Sequence, residues 1–134
     1  MVNGKAKGKR GELELCHVLK ESFGWDAERS VQYNGNAGDS DLLVRQMPSM
    51  FLECKRVQSL NVPKAMEIAV RQAGPKLPCL FHRRDREPWL LTIQLADLMA
   101  LCRMVSQSSA MQVGRCVRTY PRDTTSYPPE GLPG

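Results

Sequence analysis

The sequence predicts a single α/β domain with the element order α-β-β-β-α-β-β-α. Its 134 residues suffice for one hydrophobic core and are too few to enclose two. Segments with apolar residues at helical spacing occur beside segments in which apolar and polar residues alternate, and clusters of glycine and proline separate them. The hydrophobic share of 42% and the charged share of 25% are ordinary for a globular protein, so composition excludes collagen-like and coiled-coil architectures.

The first predicted helix covers residues 9–23 and ends at Gly24. Its apolar stripe consists of Glu12, Leu15, Cys16, Leu19 and Phe23. An acid at the start of such a stripe is unusual, because that face points toward the edge of the core. We therefore consider Glu12 a candidate functional residue.

A flexible basic arm, residues 1–10, precedes the core of this helix. The arm has no acid and four basic residues, which are Lys5, Lys7, Lys9 and Arg10. Because the whole chain has a formal net charge of +5, the arm supplies most of the excess and makes a polyanion a reasonable partner. A solubilising tail is the alternative interpretation of the arm.

Three predicted strands follow at residues 27–33, 41–45 and 50–57. Residues 34–38, which are rich in asparagine and glycine, form the loop between the first two. In the third strand the side-chain period of two places Glu53 and Lys55 on one face.

A second predicted helix starts near Asn61, has Pro63 in its first turn and stops at Gly74 and Pro75. Two further strands, at 77–81 and 89–93, pair around a charged turn.

The last predicted helix covers residues 95–105, and its apolar stripe is either core or a dimer interface. The predicted core domain is 11–106. An extension, 107–134, holds a short strand around 113–117 and a proline-rich tail that we expect to be extended or disordered.

The five cysteines form no CxxC pair and the two histidines stand far apart, so no zinc site is predicted. We expect the cysteines to fill the core, most clearly Cys79 and Cys102, and Trp25 and Trp89 to pack there as well. An odd cysteine count, no secretory segment and no apolar run of about 18 residues predict a soluble, cytoplasmic protein in a reducing compartment, without membrane contact.

Two acids and a lysine on neighbouring strands are suited to phosphodiester hydrolysis. Paired strands lie about 4.8 Å apart, so Asp41 and Glu53 can share one Mg²⁺, with the carbonyl of Cys54 as a third ligand. Lys55 can orient or polarise the attacking water. Glu12 can complete the site from the helix, through a water or as a ligand of a second metal.

An E-x-K triplet alone is weak, since it occurs by chance in about half of chains of this length. Here both charges lie on one face of an apolar strand, where unpaired charge is costly, and Asp41 follows a glycine loop twelve positions earlier. A surface strand with an ordinary salt bridge is the alternative.

Taken together, these segments resemble the Holliday-junction-resolvase branch of the PD-(D/E)XK nucleases over residues 7 to about 93. The matching residues are KGKRGELEL at 7–15, Arg29 and Ser30, GDSD at 38–41, LECK at 52–55, and Gln72. The resemblance implies a restriction-endonuclease-like core with a central mixed sheet flanked by helices. It also implies a homodimeric endonuclease, phage-encoded or prokaryotic and nucleoid-associated, that cuts branched DNA in recombination or repair.

Carried over to this chain, the resemblance implies roles for individual residues. It makes Glu12, Asp41 and Glu53 the metal site, Lys55 the catalytic lysine and Mg²⁺ the cofactor, with Mn²⁺ able to substitute. The residues implied to contact DNA or support the site are Lys7, Lys9, Arg10, Arg29 and Gln72.

Three points stay open at the level of sequence. Ser40 stands where the family has proline, which leaves Asp39 as a rival ligand to Asp41. The chain also fits a restriction-type or phage nuclease acting on linear duplex or single strands, or a DNA-binding module without turnover. The cluster Arg83, Arg84 and Arg86 is either a solvated turn or a grip on a second duplex arm.

Overall fold

The computed structural model describes residues 4–30 and 40–109 and has an α/β fold with a five-stranded mixed sheet flanked by helices. The strand order is β1-β2-β3-β4-β5; β3 and β4 are parallel, and the other neighbours are antiparallel. The elements are α1 Gly4–Phe23, β1 Ala27–Arg29, β2 Leu42–Val44, β3 Met50–Arg56, α2 Val62–Ala73, β4 Leu77–Arg83, β5 Leu90–Thr92, a 3-10 turn Leu95–Asp97 and α3 Leu98–Ser109. The predicted α/β class is confirmed.

The main core lies between one face of the sheet and the helices α1 and α3. Leu15 and Leu19 of α1 are each 1% exposed and belong to the same cluster as Leu52 of β3. The apolar residues of α3 that pack against this cluster are Ala100, Leu101, Met104 and Val105. Burying such side chains stabilises the fold by about 1.5–3 kcal/mol each.

Helix α2 covers the opposite face of the sheet over β3 and β4. Its buried Ala69 and Ala73 pack with Phe51 of β3. The side chain of Asn61 accepts a hydrogen bond from the Lys64 N–H at 3.0 Å and caps the helix, and Gly74 ends it with a φ of 59°.

The structure differs from the sequence prediction at the start of α1 and in the exposure of Phe23, while the predicted end of the helix at Phe23 is confirmed. The helix begins at Gly4, so it includes most of the predicted basic arm at 1–10; residues 1–3 lie outside the described part of the chain. Phe23, predicted on the apolar stripe, is 50% exposed because it is the last residue of the helix. Its ring packs on that of Trp25, with 4.7 Å between the ring centroids.

The two predictions of buried cysteines have different outcomes. Cys79 is fully buried as predicted, whereas Cys102 is exposed because it lies on the outer side of α3, so its prediction was wrong. Trp25 and Trp89 are half-buried against the main core. The strand around 113–117, the tail and Asp39 lie outside the described residues. No helix in the described ranges has the length and apolar character needed to cross a membrane.

Candidate active site

Asp41 lies immediately before β2, beside the carboxyl-terminal half of β3. Its backbone N–H donates to the Leu52 carbonyl at 2.9 Å. Its carboxylate accepts a hydrogen bond from the Cys54 N–H, also at 2.9 Å. Because β2 and β3 are antiparallel, with Leu42 opposite Leu52, these two bonds hold the Asp41 carboxylate at the level of Glu53 and Cys54.

Glu53 is a buried acid, 9% exposed, in the middle of β3. The pKa of Glu53 is raised to about 7: burial is the largest cause, the charges of Asp41 and Glu12 also raise it, and the charge of Lys55 lowers it. Burial also raises the pKa of Asp41, partly offset by the Cys54 N–H bond. The two carboxylates therefore lie close enough for the negative charge of Asp41 to disfavour ionisation of Glu53.

Lys55 is exposed, two residues after Glu53 on the same strand. Its positive charge lowers the pKa of both Glu53 and Asp41 relative to what burial alone would give. Strand alternation places the Lys55 and Glu53 side chains on the α2 side of the sheet, away from Cys54, which belongs to the core on the α1 side. The lysine therefore stands at the solvent edge of the acidic pair.

Glu12 reaches the same region from α1. Its charge raises the pKa of Asp41 and Glu53, which places it within their electrostatic field. Its carboxylate is paired with Arg29 at 2.7 Å, Nε to Oε1, with side-chain exposures of 38% for the arginine and 19% for the acid. Arg29, predicted to contact phosphate, thus lies at the end of β1 against the helix acid.

A close approach of the α1 backbone at Gly11 to the side chain of Arg56 brings α1 to this position. An added Cβ at Gly11 would lie 3.0 Å from the Cβ of Arg56 at the end of β3. Glycine therefore allows the helix to approach β3 one residue before Glu12.

The donor set suits a hard cation held by oxygen. Asp41 and Glu53 supply two carboxylates whose mutual repulsion a divalent cation would relieve, and the Cys54 carbonyl is available as a third ligand. Burial raises the pKa of the Cys54 thiol, and its side chain belongs to the core on the α1 side of the sheet, away from the two carboxylates. Within residues 4–30 and 40–109, no three His, Cys, Asp or Glu side chains form a ready-made metal cluster.

The remaining predicted residues are placed separately. Lys9 and Arg10 are exposed on α1, while the side chain of Lys7 lies outside the described part. Gln72 is half-buried in the last turn of α2. The next residue, Ala73, packs on Phe51 of β3. Phe51 and Lys55 are four positions apart on β3, roughly 13 Å. Gln72 therefore lies toward the other end of the strand from Lys55.

Sequence reasoning missed a polar network on Glu14, two residues after Glu12. Its carboxylate lies 2.7 Å from the Nε of Arg83 and 3.7 Å from the Nε of Arg56. It also accepts a hydrogen bond from Trp89 Nε1 at 3.1 Å. The partners are up to 75 residues away in the chain, so no local pattern indicates the network.

Comparison with known proteins found no matching family model, curated protein or solved structure. Functional interpretation of the chain therefore depends on the geometry around Asp41, Glu53 and Lys55.

Proposed function

We propose that this protein is a metal-dependent DNA endonuclease with a restriction-endonuclease-like core and a site built on Asp41, Glu53 and Lys55. The observation that carries the proposal is the pair of neighbouring acids, Glu53 in β3 and Asp41 just before β2, with Lys55 on the same face of β3 as Glu53. Among the described residues, neither acid forms an ion pair with a basic side chain. Buried charge without a counter-ion is costly, which favours a role as cation ligands.

The residues divide the chemistry between them. Asp41 and Glu53 hold Mg²⁺, or Mn²⁺ in its place, with the Cys54 carbonyl; the cation supplies Lewis-acid stabilisation and a water of lowered pKa. The Cys54 N–H fixes one oxygen of Asp41 and so orients the carboxylate. The Lys55 Nζ orients the attacking water or offsets charge on the phosphoryl oxygens. Glu12 acts through a water or, once released from Arg29, as a further ligand.

The proposed substrate is branched DNA such as a four-way junction, cut by a homodimer whose two sites address two strands. The exposed Lys9 and Arg10 support DNA as the partner, because they lie three and two residues before Glu12 on the helix that reaches the site. Arg29 can exchange its pairing with Glu12 for a phosphate when the acid binds metal.

A substrate panel tests both parts of the proposal. We expect Mg²⁺-dependent cleavage of a labelled four-way junction that exceeds cleavage of a nicked and a linear duplex. Equal cutting of all three would reject junction selectivity and favour a restriction-type or phage nuclease. Absence of cutting of any substrate in Mg²⁺ or Mn²⁺ would reject the enzyme.

Variants test the site assignment. Glu53→Gln and Lys55→Ala should each reduce cleavage by at least about 100-fold while leaving DNA binding intact. Glu67→Gln and Lys64→Ala are matched controls on α2; within residues 4–30 and 40–109 the one ion pair of Glu67 is with Arg71, and 71% of the Glu67 side chain is exposed. Full activity in either site variant would overturn the assignment.

A further inference from the structure

A cleft lies beside the candidate active site, at the carboxyl ends of the parallel strands β3 and β4. It has a volume of about 560 Å³ and is formed by the connection between β3 and α2 on one side and by the turn between β4 and β5 on the other. Its polar lining consists of Gln58, Ser59, His82, Arg83, Arg84, Arg86 and Glu87. Parallel α/β sheets commonly bind ligands at this edge.

The cleft begins next to Lys55. In the parallel register Lys55 is opposite His82, so the two side chains share the α2 side of the sheet. His82 lies in the cleft and its Nε2 is 2.9 Å from the Thr92 hydroxyl. Burial lowers the pKa of His82, so the ring is neutral at pH 7 and the charge of the cleft comes from other residues.

Two arginines at this edge are committed to internal contacts that fix the turn. Arg83 pairs with Glu14 and donates from Nη1 to the Glu87 carbonyl at 3.0 Å. Arg56 pairs with Asp85 at 3.1 Å. The Asp85 N–H also donates to the Gln58 side chain at 2.5 Å, which ties the turn to the loop across the cleft.

The other two arginines near the cleft, Arg84 and Arg86, also line it, and they are exposed. Arg84 has 63% of its side chain exposed, and its contact with Glu87 is long, at 3.8 Å. Arg86 is exposed and has a φ of 65°, a left-handed conformation that costs a non-glycine residue about 1 kcal/mol. Glu87 is the acid of the lining and Asp85 is neutralised by Arg56, so the cleft has a net positive surface.

We propose that this cleft binds the sugar-phosphate backbone of the DNA strand adjoining the scissile phosphate, with Arg84 and Arg86 as phosphate contacts. The inference rests on the proposed nuclease function and adds a second anchoring point to it. Guanidinium groups match phosphate oxygens in a two-pronged geometry. The fixed turn presents both groups without further ordering of the backbone, which lowers the entropic cost of binding.

Salt-dependent binding tests the cleft separately from catalysis. A labelled junction is titrated in EDTA with the Glu53→Gln protein, alone and combined with Arg84→Ala, Arg86→Ala or both. Each lost phosphate contact should reduce the slope of log K against log salt by about 0.9 and weaken binding roughly 5- to 10-fold at 0.1 M salt. Arg71→Ala, an α2 arginine with 68% of its side chain exposed, is the matched control and should leave the slope unchanged.

A fourth variant separates binding from folding. Arg86→Asn suits the left-handed conformation, so it should keep or raise the melting temperature while it weakens binding as much as Arg86→Ala. An unchanged salt slope in the double variant would overturn the cleft proposal even if the protein cleaves DNA. A reduced slope, together with a wild-type protein that cuts no substrate in Mg²⁺ or Mn²⁺, would retain the cleft and reject the nuclease instead.

Discussion

At the scale of single residues, Glu53 combines burial with a position beside another acid. Only 9% of it is exposed, and burial with the charge of Asp41 raises its pKa to about 7, against 4.5 for an ordinary glutamic acid. In the unfolded chain the group regains its ordinary value. Folding without metal therefore favours the protonated form of Glu53 near neutral pH.

This difference predicts a pH-dependent stability of the metal-free protein. Because the folded-state pKa is raised, the contribution of Glu53 is fully present below pH 4.5 and is lost as the pH rises toward 7, by about 3 kcal/mol. Glu53→Gln stays neutral, so its stability relative to wild type should increase between pH 5 and pH 8. Urea denaturation in EDTA at both pH values measures the difference. Glu67→Gln is the control, and an equal difference at both pH values would contradict the assigned environment.

At the scale of elements, two glycines of α1, Gly8 and Gly11, differ in their surroundings, and only the one at Gly11 bears on the position of the helix. An added Cβ at Gly8 would meet nothing within 4 Å, whereas one at Gly11 would lie 3.0 Å from the Cβ of Arg56. Alanine favours a helix over glycine by about 1 kcal/mol at either position. The contact at Gly11 opposes this gain because α1 must move away from β3.

Gly8→Ala should therefore stabilise the protein by about 0.5–1 kcal/mol, and Gly11→Ala should be less stable than Gly8→Ala by about 1–2 kcal/mol. Gly11→Ala should also slow cleavage, because it displaces Glu12 from Asp41. Melting temperature and cleavage rate in Mg²⁺ distinguish the two effects. Equal stability and activity in the two variants would show that the close approach of α1 has no role.

The Glu14 network joins α1, β3 and β4 through one carboxylate. Glu14→Gln keeps an oxygen acceptor for Trp89 and removes the charge that pairs with Arg83 and Arg56. Because these side chains are 17–34% exposed, we expect a loss of about 1–3 kcal/mol, below the 3–5 kcal/mol of a fully buried pair. Urea denaturation measures it; Glu21→Gln, whose side chain is 69% exposed, should change little. A loss no larger than that of the control would mean that solvent screens the network.

Local signals and distant contacts differ in how far the sequence predicts them. The cap at Asn61 and the stop at Gly74 bound α2 because each satisfies backbone groups through its own neighbours. The period of two predicts a common face for Glu53 and Lys55 from the strand alone. The Glu14 contacts and the exposure of Cys102 depend on how helices meet the sheet, and helical spacing does not determine that.

At the scale of the whole molecule, charge of opposite sign is arranged along one edge of the sheet. The acidic pair lies in the middle, with Arg29 at the β1 end and the cleft arginines at the β4 end. A strand of DNA along this edge would meet positive charge on both sides of the acids. The acids would repel it unless a cation neutralises them, so metal binding and DNA binding should be coupled favourably.

The same arrangement predicts that Mg²⁺ stabilises the fold as a unit. Asp41 precedes β2, Glu53 lies in β3 and Glu12 in α1, so an ion held by the first two engages the folded state and has no comparable site in the unfolded chain. At about 100 times its dissociation constant it should add about 2.7 kcal/mol, or roughly 10 °C in melting temperature. The gain should be larger at pH 8 than at pH 6, because the cation must displace the proton that Glu53 keeps near neutrality.

Thermal denaturation with Mg²⁺ titrated against EDTA measures this shift in melting temperature. Asp41→Asn and Glu53→Gln should abolish it and Glu67→Gln should preserve it; an equal shift in all four proteins would place Mg²⁺ binding elsewhere on the molecule.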